Sequence, residues 1–215
     1  MPTDQRDRRA LLADAAIDLL AEEGMRALTH RAVDARAGLP LGSTSAYFRT
    51  RQALLTAIVK RLSDLDREDL RPRGLDLPSA GTKQQAITDD LDAVAEATAA
   101  FIDLSLSHTR NRALARYHCR LESITQPDLR ALLAPHEEAA FRQTRELLAR
   151  HGTPDLDVRA RAFVAAVDGL IFGRLVSGSP GSVVAAGADG TAGTAENRAE
   201  LTATVRALLA GATAH

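Results

Sequence analysis

Residues 29–51 read THRAVDARAGLPLGSTSAYFRTR, which is two short helical patterns separated by a glycine and closed by aromatic and basic residues. Thr29 is a good helix N-cap, and Gly38 stands where the chain must reverse and where a positive φ is commonly required. Pro40 fits the first position of a second helix, predicted over residues 40–48. The stretch therefore predicts a helix-turn-helix, with a plain helical hairpin of an all-α core as the alternative.

The second predicted helix has small side chains along its leading half, and such a helix can press closely against another polymer. Recognition helices enter the DNA major groove by their N-terminal end. Arg49 and Arg51 follow directly, where phosphates would flank the groove. Arg6, Arg8 and Arg9 either extend this contact as an N-terminal arm or form a solvated terminus.

The composition favours a helical globular protein. Hydrophobic residues make up 45% of the 215 residues and charged residues 26%, which argues against global disorder, while aromatic residues are only 3%. Residues 1–60 carry nine Lys/Arg against seven Asp/Glu, whereas the rest carries 18 against 21, so the first part suits a polyanion better. A lone cysteine, Cys119, fits a reducing compartment. With no apolar leader and no membrane-length apolar segment, we expect a cytoplasmic protein with no membrane partner.

Amphipathic patterns continue on both sides of residues 29–51. A first helix is predicted from residue 6 to 24, a connecting helix over 52–69 and a loop over 71–81. Further helices are predicted from about 83 to 102, from 110 to 124, from 127 to 134, and from Pro135 to 151. The most apolar helix, 155–176, precedes a Gly/Ala/Ser-rich connection over 177–194 and a last helix over 196–209. The fold class is all-α.

This order resembles the TetR family of bacterial transcriptional regulators, of the TetR/AcrR type. The residues that carry the match are the A-x-x-L-L-A-E-E-G run over 16–24, Leu28-Thr29, Arg31, Ala37-Gly38-Leu39, Gly42, Tyr47-Phe48, Arg51 and Ala53-Leu54-Leu55. The match covers about residues 8–58, and the remainder matches only in helix order and at Asp168-Gly169-Leu170. The resemblance implies an N-terminal three-helix DNA-binding domain, 5–51, and a C-terminal bundle, 52–215, for ligand binding and dimerisation.

The function implied by the resemblance is transcriptional regulation. A homodimer would bind a palindromic operator in double-stranded DNA as a repressor and release it when an unknown small-molecule effector occupies the bundle. Small residues at Ala162, Ala166, Gly169 and Gly173 let another helix come close, so helices 155–176 and 196–209 are expected to form the dimer interface. The connecting helix would transmit ligand binding to the DNA-binding domains.

The DNA-binding residues follow from the same resemblance. Thr29 would cap its helix near a phosphate, Arg31 would reach a base edge or the backbone, and Tyr47 and Arg51 would hold phosphates. The leading part of the recognition helix supplies Leu41, Gly42, Ser43, Thr44 and Ser45, although Thr44 often corresponds to an inward apolar residue in the family. Leu41, Ser45 and Ala46 depart from side chains that relatives commonly have, so readout would depend on the hydroxyl groups and on contacts of Leu41 with thymine methyls.

Polar residues in the second half are candidates for a ligand pocket. They are Tyr117, His118, Glu122, His136 and Thr144, each beside an apolar helix face. Satisfied core or boundary residues are the alternative reading of each.

Two other function classes stay open at this stage. An all-helical enzyme or metal-binding protein would use His118, Glu122 and His136, but the histidines and Cys119 lack the paired spacing of metal ligands. A helical scaffold that binds only protein is the other. Neither explains residues 29–51, so we expect no enzymatic activity, no cofactor and no metal.

Overall fold

A computed structural model describes residues 2–70, 89–177 and 192–214 of the chain. Across these ranges the regular structure is entirely α-helical, as the sequence predicted. The helices are α1 (Pro2–Glu23), α2 (His30–Arg36), α3 (Ser43–Tyr47), α4 (Arg51–Leu70), α5 (Leu91–Leu106), α6 (Arg110–Ser123), α7 (Pro127–Arg150), α8 (Leu156–Ser177) and α9 (Ala195–Thr213). Within the same ranges every helix is too short or too polar to span a lipid bilayer.

Two helix boundaries predicted from prolines are wrong. Pro40 does not open α3, because Gly42 has a φ of 93° and the helix begins only at Ser43. Pro135 does not start a new helix but lies inside α7, which continues through it. A proline within a helix forfeits only its own N–H bond and crowds one carbonyl, so the rest of a long helix can persist around it. The predicted loops at 71–81 and 177–194 lie largely outside the described residues.

The chain forms two compact units. One comprises Met1–Leu65 with Asn111–Ala134, and the other comprises Asp66–Arg110 with Pro135–His215. The first unit thus joins α6 and the start of α7 to the N-terminal helices, whereas the sequence analysis divided the chain by function at residues 51 and 52. That functional division stays a prediction.

The first unit has one continuous apolar core. Its fully buried side chains come from α1, from the α1–α2 turn and from α4, and they include Leu12, Leu20, Leu28, Leu54, Leu55 and Ile58. Ala115 and Cys119 of α6 and Leu129 and Leu133 of α7 pack into the same cluster. At about 25 cal/mol per Å² of buried apolar surface, this core is what holds the short α2 and α3 in place.

The second unit is built around α5, α8 and α9. The α5 and α9 helices pack along each other, and α8 contacts both. The buried side chains of α5 and α9 include Val94, Ile102, Leu106, Leu201, Val205 and Leu209. The outward side of α8 keeps apolar residues exposed, with Val158 at 70% exposure, Phe172 at 43% and Val176 at 66%.

Candidate nucleic-acid interface

The N-terminus of α2 is capped as predicted. The Thr29 hydroxyl accepts a hydrogen bond from the Ala32 amide at 3.2 Å, while Thr29 itself has an extended backbone. This bond satisfies one of the amides that lack a partner in the first turn of a helix. Thr29 and Arg31 are both exposed, so the start of α2 presents a hydroxyl and a guanidinium to solvent.

The turn between α2 and α3 depends on glycine. Gly38 has a φ of 64°, which confirms the predicted left-handed turn, and the Leu39 amide donates to the Asp34 carbonyl at 2.9 Å. The chain then passes Pro40 and Leu41 in a second turn, closed by the Ser43 amide on the Pro40 carbonyl at 3.1 Å. Two successive turns bring α3 back across α2.

The outer side of α3 carries small and apolar groups. Leu41 is 73% exposed, and Gly42, Ser45 and Ala46 are exposed as well. The Ser43 hydroxyl donates to the Pro40 carbonyl at 2.6 Å, which leaves its oxygen lone pairs as possible acceptors. This surface has little side-chain bulk between its backbone and a docked polymer.

Thr44 faces inward and does not belong to this surface. It is fully buried, and its hydroxyl donates to the Asp34 carboxylate at 2.5 Å. The predicted base contact of Thr44 is therefore corrected, because a hydroxyl buried in this way reaches no base edge. The cause is the helical period of α3, which places Thr44 about 100° around the helix axis from Ser45 and thus on the side of Asp34.

Asp34 is a buried acid that the sequence analysis missed. Burial raises the pKa of its carboxyl, but hydrogen bonds from the Thr44 hydroxyl and from the Thr44 and Gly42 amides, together with nearby His30, lower the pKa by more, so the net shift is downward. The group is thus an ionised carboxylate at neutral pH. Two features of the sequence could have indicated it. Asp34 follows Val33 on the buried side of α2, and α3 begins after a glycine, which has no side chain to cap the helix.

Arg51 is engaged inside its own unit. Its guanidinium donates to the carbonyl of Leu28, and also to the carbonyl of Met25 at 2.8 Å. These contacts tie the start of α4 to the α1–α2 turn. Two of its five N–H groups thus have carbonyl acceptors, and the predicted phosphate contact of Arg51 stays a prediction for the others.

Tyr47 lies at the end of α3 beside an arginine of α1. The guanidinium carbon of Arg9 is 5.8 Å from the centre of the Tyr47 ring and 5.5 Å from that of Phe48. Tyr47 is partly exposed and Phe48 is buried, as predicted for a core residue. A cation–π contact of this kind places a positive charge of α1 next to α3.

The predicted ligand residues fall into both compact units. Tyr117, His118 and Glu122 are in the first unit, where Glu122 accepts a hydrogen bond from the Gln126 side chain. Thr144 is in the second unit, and its hydroxyl donates to the Ala140 carbonyl of its own helix at 3.0 Å. The side chain of His136 lies outside the described residues. Their joint role in one pocket stays a prediction.

Cys119 is fully buried in the core of the first unit. Burial raises the pKa of its thiol to about 12, an effect that outweighs the opposing influence of Arg116. Within the described ranges no three His, Cys, Asp or Glu side chains are grouped so that they could hold a metal ion.

Comparison with known proteins identifies the family. Residues 12–58 match the family model described as bacterial regulatory proteins, tetR family, and residues 89–211, more than half of the chain, match the model of the tetracyclin repressor-like C-terminal domain. The chain belongs to the tetR family of bacterial regulatory proteins. It is thus a transcriptional regulator, and the resemblance seen in residues 8–58 is confirmed.

Individual tetR-family relatives agree. The chain is 26% identical over 179 residues to the HTH-type transcriptional regulator BetI of Cronobacter sakazakii, covering 80% of this chain and 82% of that protein. Among solved structures, a transcriptional regulator of Rhodococcus sp. Rha1 has a TM-score of 0.68 at 23% identity, covering 96% and 98% of the two chains. The multidrug binding protein EbrR complexed with ethidium has a TM-score of 0.61 at 23% identity, covering 94% and 98%. These structures show a shared fold.

Proposed function

We propose that this tetR-family regulator is a homodimeric repressor that binds a palindromic operator in double-stranded DNA and is released by a small-molecule effector. The observation that carries the DNA-binding part is the exposed surface of α3 and of the turn before it, where Leu41 is exposed and the small side chains of Ser45 and Ala46 leave the helix backbone accessible. Exposed Arg31 and Arg49 lie in the neighbouring segments. A short helix of this kind, presented by a preceding helix, suits the major groove.

The DNA-contacting residues of this proposal are revised by the side-chain environment. They are Thr29, Arg31, Leu41, Gly42, Ser43, Ser45, Tyr47 and the remaining N–H groups of Arg51. Thr29, Tyr47 and Arg51 would hold phosphates, and Arg31 would reach a base edge or the backbone. Ser43 and Ser45 would meet base edges, and Leu41 would meet thymine methyl groups. Thr44 is buried and instead stabilises the domain from inside, and exposed Arg51 stabilises it through its two carbonyl acceptors.

The dimer is supported by the outer face of α8. Val158, Phe172 and Val176 are exposed there, and a Cβ added at Gly169 would meet no atom of another described element within 4 Å. Exposed apolar residues aligned along one helix usually mark a protein interface. We propose a two-fold pairing of α8 and of the segment 196–209 of α9 with their copies, which would place two α3 helices about one turn of DNA apart, roughly 34 Å.

The proposal specifies only the general chemical kind of the effector. EbrR, which shares the fold, is described as a multidrug binding protein complexed with ethidium, so a small organic molecule is the kind of effector to test. The residues that we propose to contact the effector are still Tyr117, His118, Glu122, His136 and Thr144. We also propose a cytoplasmic, non-enzymatic protein, since an enzyme using His118 and Glu122 has no observation in its favour beyond the presence of these groups.

Selection of random DNA duplexes on the purified full-length protein tests the proposal. We expect a palindrome to be enriched, and its affinity to fall steeply as salt rises, because each neutralised phosphate releases counterions. Failure to enrich any duplex at low salt would sink the proposal. The enriched palindrome then serves to screen small molecules for release.

A further inference from the structure

The α3 helix is too short to be ordered by itself. It has five residues, Ser43–Tyr47, and the first turn of a helix costs more conformational entropy than its single hydrogen bond returns. Its N-cap is Gly42, which makes no side-chain hydrogen bond to the helix. The first amides of α3 therefore need acceptors from elsewhere in the fold.

Asp34 of α2 supplies those acceptors. One carboxylate oxygen accepts the Gly42 amide at 2.8 Å, and the other accepts the Thr44 amide at 2.6 Å as well as the Thr44 hydroxyl. The Asp34 residue is 1% exposed, so these bonds form away from solvent. A buried carboxylate with three donors acts as the N-cap that Gly42 cannot provide.

His30 holds the opposite end of α3. Its Nε2 atom lies 2.6 Å from the carbonyl oxygen of Phe48, the C-cap residue. A carbonyl only accepts, so Nε2 carries the proton and donates. His30 and Asp34 are four residues apart on α2 and thus share one side of that helix. Both ends of α3 are consequently bonded to the same turn of α2.

We infer that His30 and Asp34 form a clamp that orders α3 before the protein binds DNA, and that both are positioning residues for sequence-specific recognition. This inference rests on the proposed DNA-binding function. A helix already ordered in the free protein loses less conformational entropy on binding, so the clamp strengthens contacts that need a fixed register. Contacts with phosphates alone need that register much less.

The charge of Asp34 makes the inference testable, because a purely electrostatic effect and an ordering effect predict opposite changes in DNA affinity. A carboxylate near a polyanion opposes binding, so Asp34→Asn would strengthen DNA binding if the effect were electrostatic only. If the clamp orders α3, the same change weakens binding to the selected palindrome. Asp14→Asn is the matched control, because it removes the same charge from a partly exposed ion pair with Arg61, elsewhere in the same unit.

For full-length Asp34→Asn we expect affinity for the selected palindrome to fall about tenfold or more, as for a lost bond to a charged group. Affinity for a scrambled duplex of equal length should change less than about threefold, since phosphate contacts are retained. In the DNA-free protein, amide exchange at Ala46 and Phe48 should accelerate, because their helical bonds depend on an ordered α3. Asp14→Asn should show neither loss. Any other pattern overturns the inference.

A milder pair of variants covers the case in which Asp34→Asn does not fold. Thr44→Val removes only the hydroxyl bond to Asp34 and should show the same selective loss at a few-fold size, while Thr44→Ser should restore binding. Equal behaviour of the two variants would overturn the inference. If no duplex is ever enriched, the proposed function fails, whereas amide exchange, measured without DNA, still decides whether the clamp orders α3.

Discussion

Arg51 and Arg31 are both exposed arginines of the helix-turn-helix, but they differ in the contacts that they make within the protein. Arg51 donates to the carbonyls of Leu28 and Met25, which are 23 and 26 residues earlier in the chain. Arg31 lies exposed in the first turn of α2. At the residue scale, Arg51 therefore stabilises the fold, whereas Arg31 is a candidate for DNA contact alone.

Arg51→Ala should therefore lower the free energy of unfolding by about 1–2 kcal/mol, since carbonyls near the surface lose charged donors. Arg31→Ala should change it by less than about 0.5 kcal/mol and should weaken DNA binding instead. Urea unfolding at one fixed protein concentration and duplex binding measure the two effects. Stability loss in Arg31→Ala with none in Arg51→Ala would contradict these roles.

Cys119 gives a second prediction at this scale. Its thiol is fully buried with a pKa raised to about 12, so the reactive thiolate is scarce at pH 8. We expect iodoacetamide to leave the native protein unmodified and to modify the protein in denaturant. Rapid modification of the native protein would contradict the burial of this cysteine.

At the scale of elements, a buried polar network fixes the start of α9. Asp103 of α5 is 2% exposed and accepts from the Gly193 amide at 2.7 Å and from the Asn197 side chain at 2.6 Å. Asn197 in turn accepts from buried Arg174 of α8 at 2.9 Å. Three helices thus meet through one chain of hydrogen bonds, which sets the register of α9.

Asp103→Ala should lower the free energy of unfolding by about 3 kcal/mol, because the buried donors it serves lose their acceptor. Asp92→Ala is the control in the same helix: its side chain is 71% exposed and pairs with exposed Arg206, so its loss should cost less than about 1 kcal/mol. Chemical unfolding of both variants measures the difference. Equal, small losses would show that the network contributes little.

At the scale of the whole molecule, the exposed face of α8 makes the dimer testable through Gly169. A Cβ added there meets nothing within 4 Å in the part of the chain that the structure describes, so Gly169→Leu should fold and gain up to about 1 kcal/mol in helix propensity. Against a closely packed second copy the same leucine clashes. We expect the variant to become monomeric at micromolar concentration and to bind the palindrome more weakly.

Gly211→Leu is the matched control for that experiment. Gly211 also has open space around its Cβ position, but it follows the segment 196–209 predicted to pair in the dimer. Analytical ultracentrifugation of both variants should show a monomer only for Gly169→Leu. A dimer that survives in Gly169→Leu would exclude close packing of α8 at this point.

The sequence by itself determined the features that depend on neighbouring residues. The helix order, the Thr29 cap and the Gly38 turn depend on interactions within a few positions, and the apolar period of each segment already encodes them. The family followed from the same local pattern, since its motif is concentrated in residues 12–58.

Only the tertiary structure decided which polar groups of the motif bond to distant residues. Thr44 meets Asp34 ten residues away, and Arg51 meets a carbonyl 26 residues away, so no local period reports either contact. The same holds for Pro135, whose helix continues although a proline commonly begins one. Local sequence sets the conformation of each segment, whereas the burial of a polar side chain depends on which distant donor or acceptor the packed core brings beside it.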